Sequence, residues 1–386
     1  MKTKKAIVTS FIIVIVLLSS PFLFKKYFND NNDHYFLEVS QDNKKDLLLT
    51  QADVEIETIH IEPAGCSYIG HLDMISDTIY FIDSRFCKVF SFDLDGKLLK
   101  EELGQGGGPN EINTALISGY VKLPNGNWVF IGTANDCHIF SSNFEKIKTY
   151  VIDKYYNESE SYDSPLKYSL CYPKLKIVPY EESFIYNTYT EAPSLNFYDN
   201  KEKYFKNCRI LTKVDANTGK VVDHFGRFSP IYNKSDKDLR LTSLVDFDID
   251  SSGNYYITYE ADSLIYLYDK DFNVRKAFGY QGQNMEYSYP ELTFEEFSHR
   301  YEIERANTSY YSSIKYVDAL DVLFRVYTIS KDDKNDGLQI YNNEVLIGDI
   351  NIPKTCKILG YTYPYLYMSP SIDVDSDIMT IYRFKL

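Results

Sequence analysis

The sequence contains no C-x-x-C pair, although it has six cysteines. Cys66, Cys87, Cys137, Cys171, Cys208 and Cys356 are scattered singly, which leaves no zinc-ribbon or thioredoxin-type signal. No H-E-x-x-H zinc motif occurs among His34, His60, His71, His138, His224 and His299. The glycine run Gly104-Gln-Gly-Gly-Gly-Pro109 lacks a following Lys-Ser/Thr and a following helix. It therefore has no phosphate-loop chemistry and reads as a tight connection. Basic residues are in deficit, 41 against 55 acidic, for a net charge of −14. Nucleic acid, whose phosphates demand clustered Lys and Arg, is not expected as a partner. Tryptophan occurs once, beside 36 Tyr and 24 Phe. That aromatic load suits strands, where rings pack on pleated surfaces. No Ser/His/Asp or Cys/His set stands out by position, so no catalytic residue is assigned; such sets are recognised by geometry rather than order.

The N-terminus is the one long apolar run. Met1-Lys-Thr-Lys-Lys5 precedes Ala6 to Phe24, and Lys25-Lys26 closes it. Nineteen residues at about 1.5 Å each match the ~30 Å core of a bilayer. Residues 1–26 are expected to be a signal anchor, with a cleaved signal peptide as the alternative. No cysteine stands there for lipid attachment. Either way the remainder is exported to the periplasm or cell envelope. Without residues 1–26 the chain keeps 36 basic residues against 55 acidic, a net −19. Residues 27–50 are polar and read as a tether. An oxidising compartment permits disulfides.

The body of the chain repeats. Asp93-Leu-Asp-Gly-Lys-Leu-Leu-Lys-Glu-Glu-Leu-Gly104 returns as Asp215-Ala-Asn-Thr-Gly-Lys-Val-Val-Asp-His-Phe-Gly226, and in shorter form from Asp269 to Gly279. Cys87-Lys-Val-Phe-Ser91 matches Cys137-His-Ile-Phe-Ser141. Each unit alternates strand-like runs with Gly, Asn and Asp turns suited to tight hairpins. Four strands per unit at this spacing give an all-β fold, a six-bladed β-propeller of four-stranded antiparallel blades. The units cover roughly 66–104, 115–150, 170–226, 241–279, 312–350 and 354–386, within a domain spanning 51–386. A β-sandwich with similar hairpins is the competing fold. The alternating run Val54–Ile61 is placed to close the ring by completing the last blade. Cys87 and Cys137 occupy matched positions on neighbouring blades, too far apart for a disulfide.

Asp77-Thr-Ile-Tyr-Phe-Ile-Asp-Ser-Arg-Phe-Cys-Lys-Val-Phe-Ser-Phe-Asp-Leu-Asp-Gly-Lys97 resembles an NHL-type blade. Leu103-Gly-Gln-Gly-Gly-Gly-Pro-Asn-Glu111 resembles the glycine-rich blade connection of exported six-bladed propellers of Bacteroidota, NHL-like or TolB-like. The resemblance covers about 66–150 and 241–282. It implies a fold and a compartment, and no activity.

In such a meander the second-to-third-strand loops and the blade connections share one face. Recognition is expected there, since loops vary on a rigid frame. The ligand-binding expectation falls on Arg85, Gln105, Asn110, Glu111, Asn135, Asp136, Glu260 and Asp262. The partner is expected to be a protein, peptide or carbohydrate, the net charge favouring cationic or neutral ones. The protein is expected to act as a monomer, without a cofactor. A rival reading is a metal-dependent, lactonase-like hydrolase or lyase, with Ca²⁺ held in the central funnel by Asp73, Asp246, Asp248, Asp250 or Asp318. A third is a structural part of an envelope complex. His71 and His138 are placed near the channel or its rim. Thr293 and Glu296 predict a capped helix near 291–306, with Phe294, Phe297 and Tyr301 on one face.

Overall fold

The computed structural model describes residue 36 and residues 44–153, 155–156, 166–191, 195–198, 200–375 and 378–386. The expected signal anchor at 6–24 lies outside them. No helix among the described residues is long and apolar enough to cross a membrane.

Six antiparallel sheets form the six blades of a propeller. Their innermost strands are Gly70–Ile75, Ile117–Lys122, Ile177–Tyr180, Val245–Ile249, Tyr310–Val317 and Lys357–Thr362. Hydrophobic clusters lie between neighbouring blades all the way round, from Ile82, Val89 and Trp128 between the first two to Ile61, Phe81 and Ile381 between the last and the first. The core is therefore distributed over the blade interfaces. This is why second strands such as Trp128–Gly132 and Tyr255–Tyr259 are buried at every position. A strand covered on both faces loses the alternation of a half-buried one. Outer strands such as Leu98–Leu103 stay largely exposed.

The ring closes with Glu57–Ile61, which pairs antiparallel with Met379–Lys385, Ile61 opposite Met379 and Glu57 opposite Arg383. Arg383 Nε reaches Glu57 Oε2 at 2.9 Å. The recurring turn phrase joins third and fourth strands, and its leading Asp is a turn device. Asp93 Oδ1 accepts the N–H of Asp95 and Lys97, Asp215 Oδ1 those of Asn217 and Thr218, and Asp269 Oδ1 those of Asp271 and Asn273. The glycine of the first phrase, Gly96, has φ +84°, and an added Cβ would meet Ile59 Cγ2 at 2.8 Å and His60 O at 3.0 Å. The first turn is thus packed directly on the closing strand.

Three features depart from the repeat; the first is in the third blade, where Leu166–Leu170, paired with Tyr155–Tyr156, also pairs with Ser183–Glu191. Inside the stretch expected to be a polar tether, Lys45–Leu49 adds a parallel fifth strand to the outer edge of the fifth blade, and Phe36 packs against the rings of Tyr259 and Tyr266. Backbone pairing holds that strand, since its side chains are mostly exposed; it covers an edge that would otherwise present unpaired N–H and C=O groups. Among the described residues three α-helices decorate the loop face: α1 (Lys201–Asn207), α2 (Ile231–Lys234) and α3 (Phe294–Ala306). α3 begins with a true capping box between Thr293 and Glu296. Phe297 is buried against Leu241 and Leu292, whereas Phe294 is 69% exposed. All six cysteines are free thiols. Burial pushes the Cys87 thiol up to about 11 and those of Cys171 and Cys356 to about 12.

Candidate functional site

The inner strands bring a ring of polar side chains to the propeller axis. The first blade supplies His71 and Asp73, the second Tyr120, and the third Lys176, one residue ahead of its strand. The fourth supplies Asp246 and Asp248, the fifth Lys315 and the sixth Lys357. The strand period of two puts Asp246 and Asp248 on one side of their strand.

Four of these charges pair. Asp246 accepts the backbone N–H of Ile314 at 2.9 Å and of Phe247 at 2.8 Å, while Asp248 accepts that of Tyr316 at 2.8 Å. Both carboxylates thereby fasten the fourth inner strand to the fifth. Lys176 Nζ lies 3.6 Å from Asp246 and 4.0 Å from Asp248, and donates to Ile314 O at 2.5 Å. Lys315 Nζ lies 3.7 Å from Asp248. The Asp248 carboxylate, with Asp73 and Asp246 behind it, holds Lys315 above the ordinary lysine range.

Two opposite charges remain. Asp73 accepts from its neighbour's N–H, Met74, at 2.8 Å and from Tyr120 Oη at 3.0 Å, but has no ion pair among the described residues. Burial and the Asp73 charge keep the Tyr120 hydroxyl protonated. The Lys357 ammonium makes no hydrogen bond or ion pair among the described residues. Its pKa is lowered by burial and by the charges of Lys176 and Lys315, against the pull of Asp73 and Asp246. By accessible surface, however, Lys357 is exposed, at the end of its strand. His71, tilted over Tyr120 with centroids 5.8 Å apart, is pushed down to about 4 by burial and the Lys357 charge, and is neutral at neutral pH.

This ring does not fit a divalent cation. Asp246 and Asp248 are turned to backbone N–H groups and ammoniums, whereas Ca²⁺ needs converging oxygens. No group of three or more His, Cys, Asp or Glu is placed to share an ion among the described residues. Asp250 and Asp318 lie away from the axis, at a hairpin: Asp250 accepts from Ser252 and Asn254, and Asp318 from Ser251.

The eight loop residues expected to bind divide sharply. Arg85, Gln105 and Asn110 are exposed, with Gln105 bridging to Thr114 O and Ala115 O. Glu111 folds over its own glycines: its carboxylate accepts from Gly108 N at 2.7 Å and fills the space a Cβ on Gly106 would need. Asn135, Glu260 and Asp262 are buried and serve the fold. Asn135 sits at φ +61° and accepts from Tyr172 Oη. Asp262 accepts from Ser229 Oγ, Tyr266 Oη and Leu264 N. Glu260 forms an internal ion pair with Arg305. Polarity in the sequence does not reveal this burial, because it depends on partners brought in from elsewhere in the fold.

Asp136 belongs to another arrangement. Its Oδ2 lies 2.8 Å from His138 Nε2, and His138 Nδ1 lies 3.3 Å from Thr149 Oγ1. Burial opposes ionisation of Asp136, but the hydrogen bonds from His138 and Thr114 outweigh it and lower its pKa. This hydroxyl–imidazole–carboxylate chain borders a cleft of about 480 Å³ with Lys146 and Thr114 in its wall. His138 stands on a third strand, Asp136–Phe140, so it is not a channel residue.

No family model matches the sequence, and no curated protein does. Solved structures do resemble it. A DUF4221 family member from Bacteroides vulgatus ATCC 8482 superposes with a TM-score of 0.65 at 14% identity, over 87% of this chain and 99% of that one. A protein of Bacteroides fragilis NCTC 9343, provisionally named as an exported protein, gives a TM-score of 0.51 at 13% identity, over 89% of this chain and 98% of that one. At such identities the likeness is one of fold.

Proposed function

We propose that the protein is an exported, non-catalytic binding module of the cell envelope, NHL-like or TolB-like in type, which works through its loop face and the axial channel. Lys357 carries this reading. It opens its inner strand at the loop-face end of the blade, and among the described residues its ammonium is left without a partner in a ring whose other lysines are engaged. Unsatisfied polar groups in a recess of this kind are what a ligand completes. The export part rests on the Lys-flanked apolar N-terminus and on the provisional name of the B. fragilis neighbour.

The test is a thermal-shift screen of envelope metabolites and peptides on the purified exported part, followed by variants. Ligand-induced stabilisation should vanish in Lys357→Met and survive Asp95→Ala with Lys97→Ala on the hairpin face. Loss only in the hairpin-face pair would reject the reading.

One observation favours a hydrolytic alternative, the Thr149–His138–Asp136 chain, since a base positioned by a carboxylate can activate a hydroxyl. Release of p-nitrophenol from p-nitrophenyl acetate, abolished by Thr149→Val and by His138→Gln, would favour it.

A further inference from the structure

The axial ring holds three aspartates and three lysines and is neutral as a whole, but only four of the six charges are matched within it. Asp73 and Lys357, on the inner strands of the first and last blades, are the two left over. Their strands lie side by side in the ring, and no ion pair joins the two charges among the described residues. A simple anion would satisfy Lys357 and leave the ring with a net negative charge and Asp73 still unmatched. A simple cation would do the reverse. A ligand that brings both signs matches both leftover charges at once and is favoured over either half-ligand.

Building on the binding-module reading, we infer that the channel binds a small zwitterion of the α-amino acid type, its carboxylate on Lys357 and its ammonium on Asp73. The neighbouring groups suit this. Met74 N–H donates to one oxygen of the Asp73 carboxylate and Tyr120 Oη to the other, which fixes it and leaves a lone pair on each free for an ammonium. His71 is neutral, so it adds no third charge and can donate or accept a hydrogen bond. Lys176 and Lys315 are occupied by Asp246 and Asp248, which confines the attraction for a carboxylate to Lys357.

The experiment is equilibrium dialysis of the purified protein against an equimolar mixture of the common free α-amino acids, read by mass spectrometry. Parallel dialyses use the matching carboxylic acids without the amine and the matching amines without the acid. Stoichiometric retention of an amino acid is expected, with the acids and amines at least about tenfold weaker, as loss of one charged hydrogen-bonded contact implies. Lys357→Met and Asp73→Asn should each weaken retention by a similar factor. Equal retention of carboxylic acids and amino acids, unchanged by Asp73→Asn, would overturn the inference in favour of a plain anion site. Retention of none of the three sets would overturn it as well. If a different compound from the envelope screen bound in a Lys357-dependent way, the binding-module reading would stand and only the zwitterion would fall.

Discussion

Glu260 and Arg305 form a bidentate ion pair around a carboxylate with no solvent exposure, Nη2 to Oε1 at 2.5 Å and Nη1 to Oε2 at 2.8 Å. Lys174 adds a third contact at 3.3 Å, and Leu244 N a fourth at 3.1 Å. Burial alone would raise the Glu260 pKa, but Arg305 and Lys174 outweigh it and hold the carboxyl below its ordinary range. The guanidinium also stacks over Tyr310, 4.0 Å from its centroid. Because Glu260 directly follows the second strand of the fourth blade, Lys174 precedes the third inner strand and Arg305 lies in the last turn of α3, one buried cluster joins two blades to the inserted helix.

Removing one member should strand the others. Glu260→Gln or Arg305→Ala is expected to destabilise by about 3–5 kcal/mol, read as a lower urea midpoint. The double change Glu260→Gln with Arg305→Met should recover part of that loss. Single changes costing under ~0.5 kcal/mol, the level of an ordinary surface substitution, would show that the cluster does not hold α3 in place.

Acid should weaken the fold through His71 and His224. Burial lowers both to about 4, with help from Lys357 and Arg209 respectively, while an unfolded histidine titrates near 6.5. Their contribution is fully present above about 6.5. It is lost as pH falls from there to about 4, because only the unfolded chain takes up protons in that window. The slope is at most on the order of 1.4 kcal/mol per pH unit for each histidine. Urea midpoints at pH 7, 6 and 5 should fall in the native protein and fall less in His71→Gln and His224→Gln. An equal slope in all three would remove these residues as the cause.

Asn135 and Arg85 should behave oppositely, although both lie on the loop face. Asn135→Ala removes the acceptor for Tyr172 and replaces a residue type that tolerates the left-handed φ of +61° with one that tolerates it less well, so a loss of about 1–2 kcal/mol is expected. Asn135→Gly should cost less, since glycine accepts that conformation. Arg85→Ala should stay within ~0.5 kcal/mol. Differential scanning calorimetry of the three variants gives the comparison. The burial of Asn135 is what separates it from an ordinary loop position such as Arg85.

Ring closure should depend on Ile61, which is fully buried beside Phe81 and Ile381. Ile61→Ala is expected to cost about 2–5 kcal/mol and to increase hydrogen exchange at the paired strand Met379–Lys385. Gly96→Ala should mimic part of it, through the clash with Ile59 and His60. Unchanged protection at that strand in Ile61→Ala would mean that closure relies on other contacts.

The fold was legible because its information is local. The Asp-led turn phrase fixes a hairpin wherever it occurs, each Asp satisfying backbone N–H groups two to four residues ahead, and the alternation of Val54–Ile61 marks a strand with no other partner. The site was less legible. Asp73, Asp246 and Asp248 were visible as inner-strand carboxylates, but not the three lysines of the ring: Lys176 and Lys315, which neutralise two of them, and the unpaired Lys357 come from three other blades, and only a repeat register correct to one residue would align them. Arg325, fully buried with Gln339, Ser263 O and Tyr280 O as partners and Tyr311 beneath it, gives no sign of burial in sequence.

What the sequence determined by itself was the unit and its number: four strands, tight turns, six repeats and a spare strand to close them. Only the tertiary structure decided which charged side chains face solvent, which are consumed within the blades and which meet at the axis. Turn and strand preferences depend on neighbours a few residues apart, whereas the pairing of a buried charge depends on atoms brought together from anywhere along the chain.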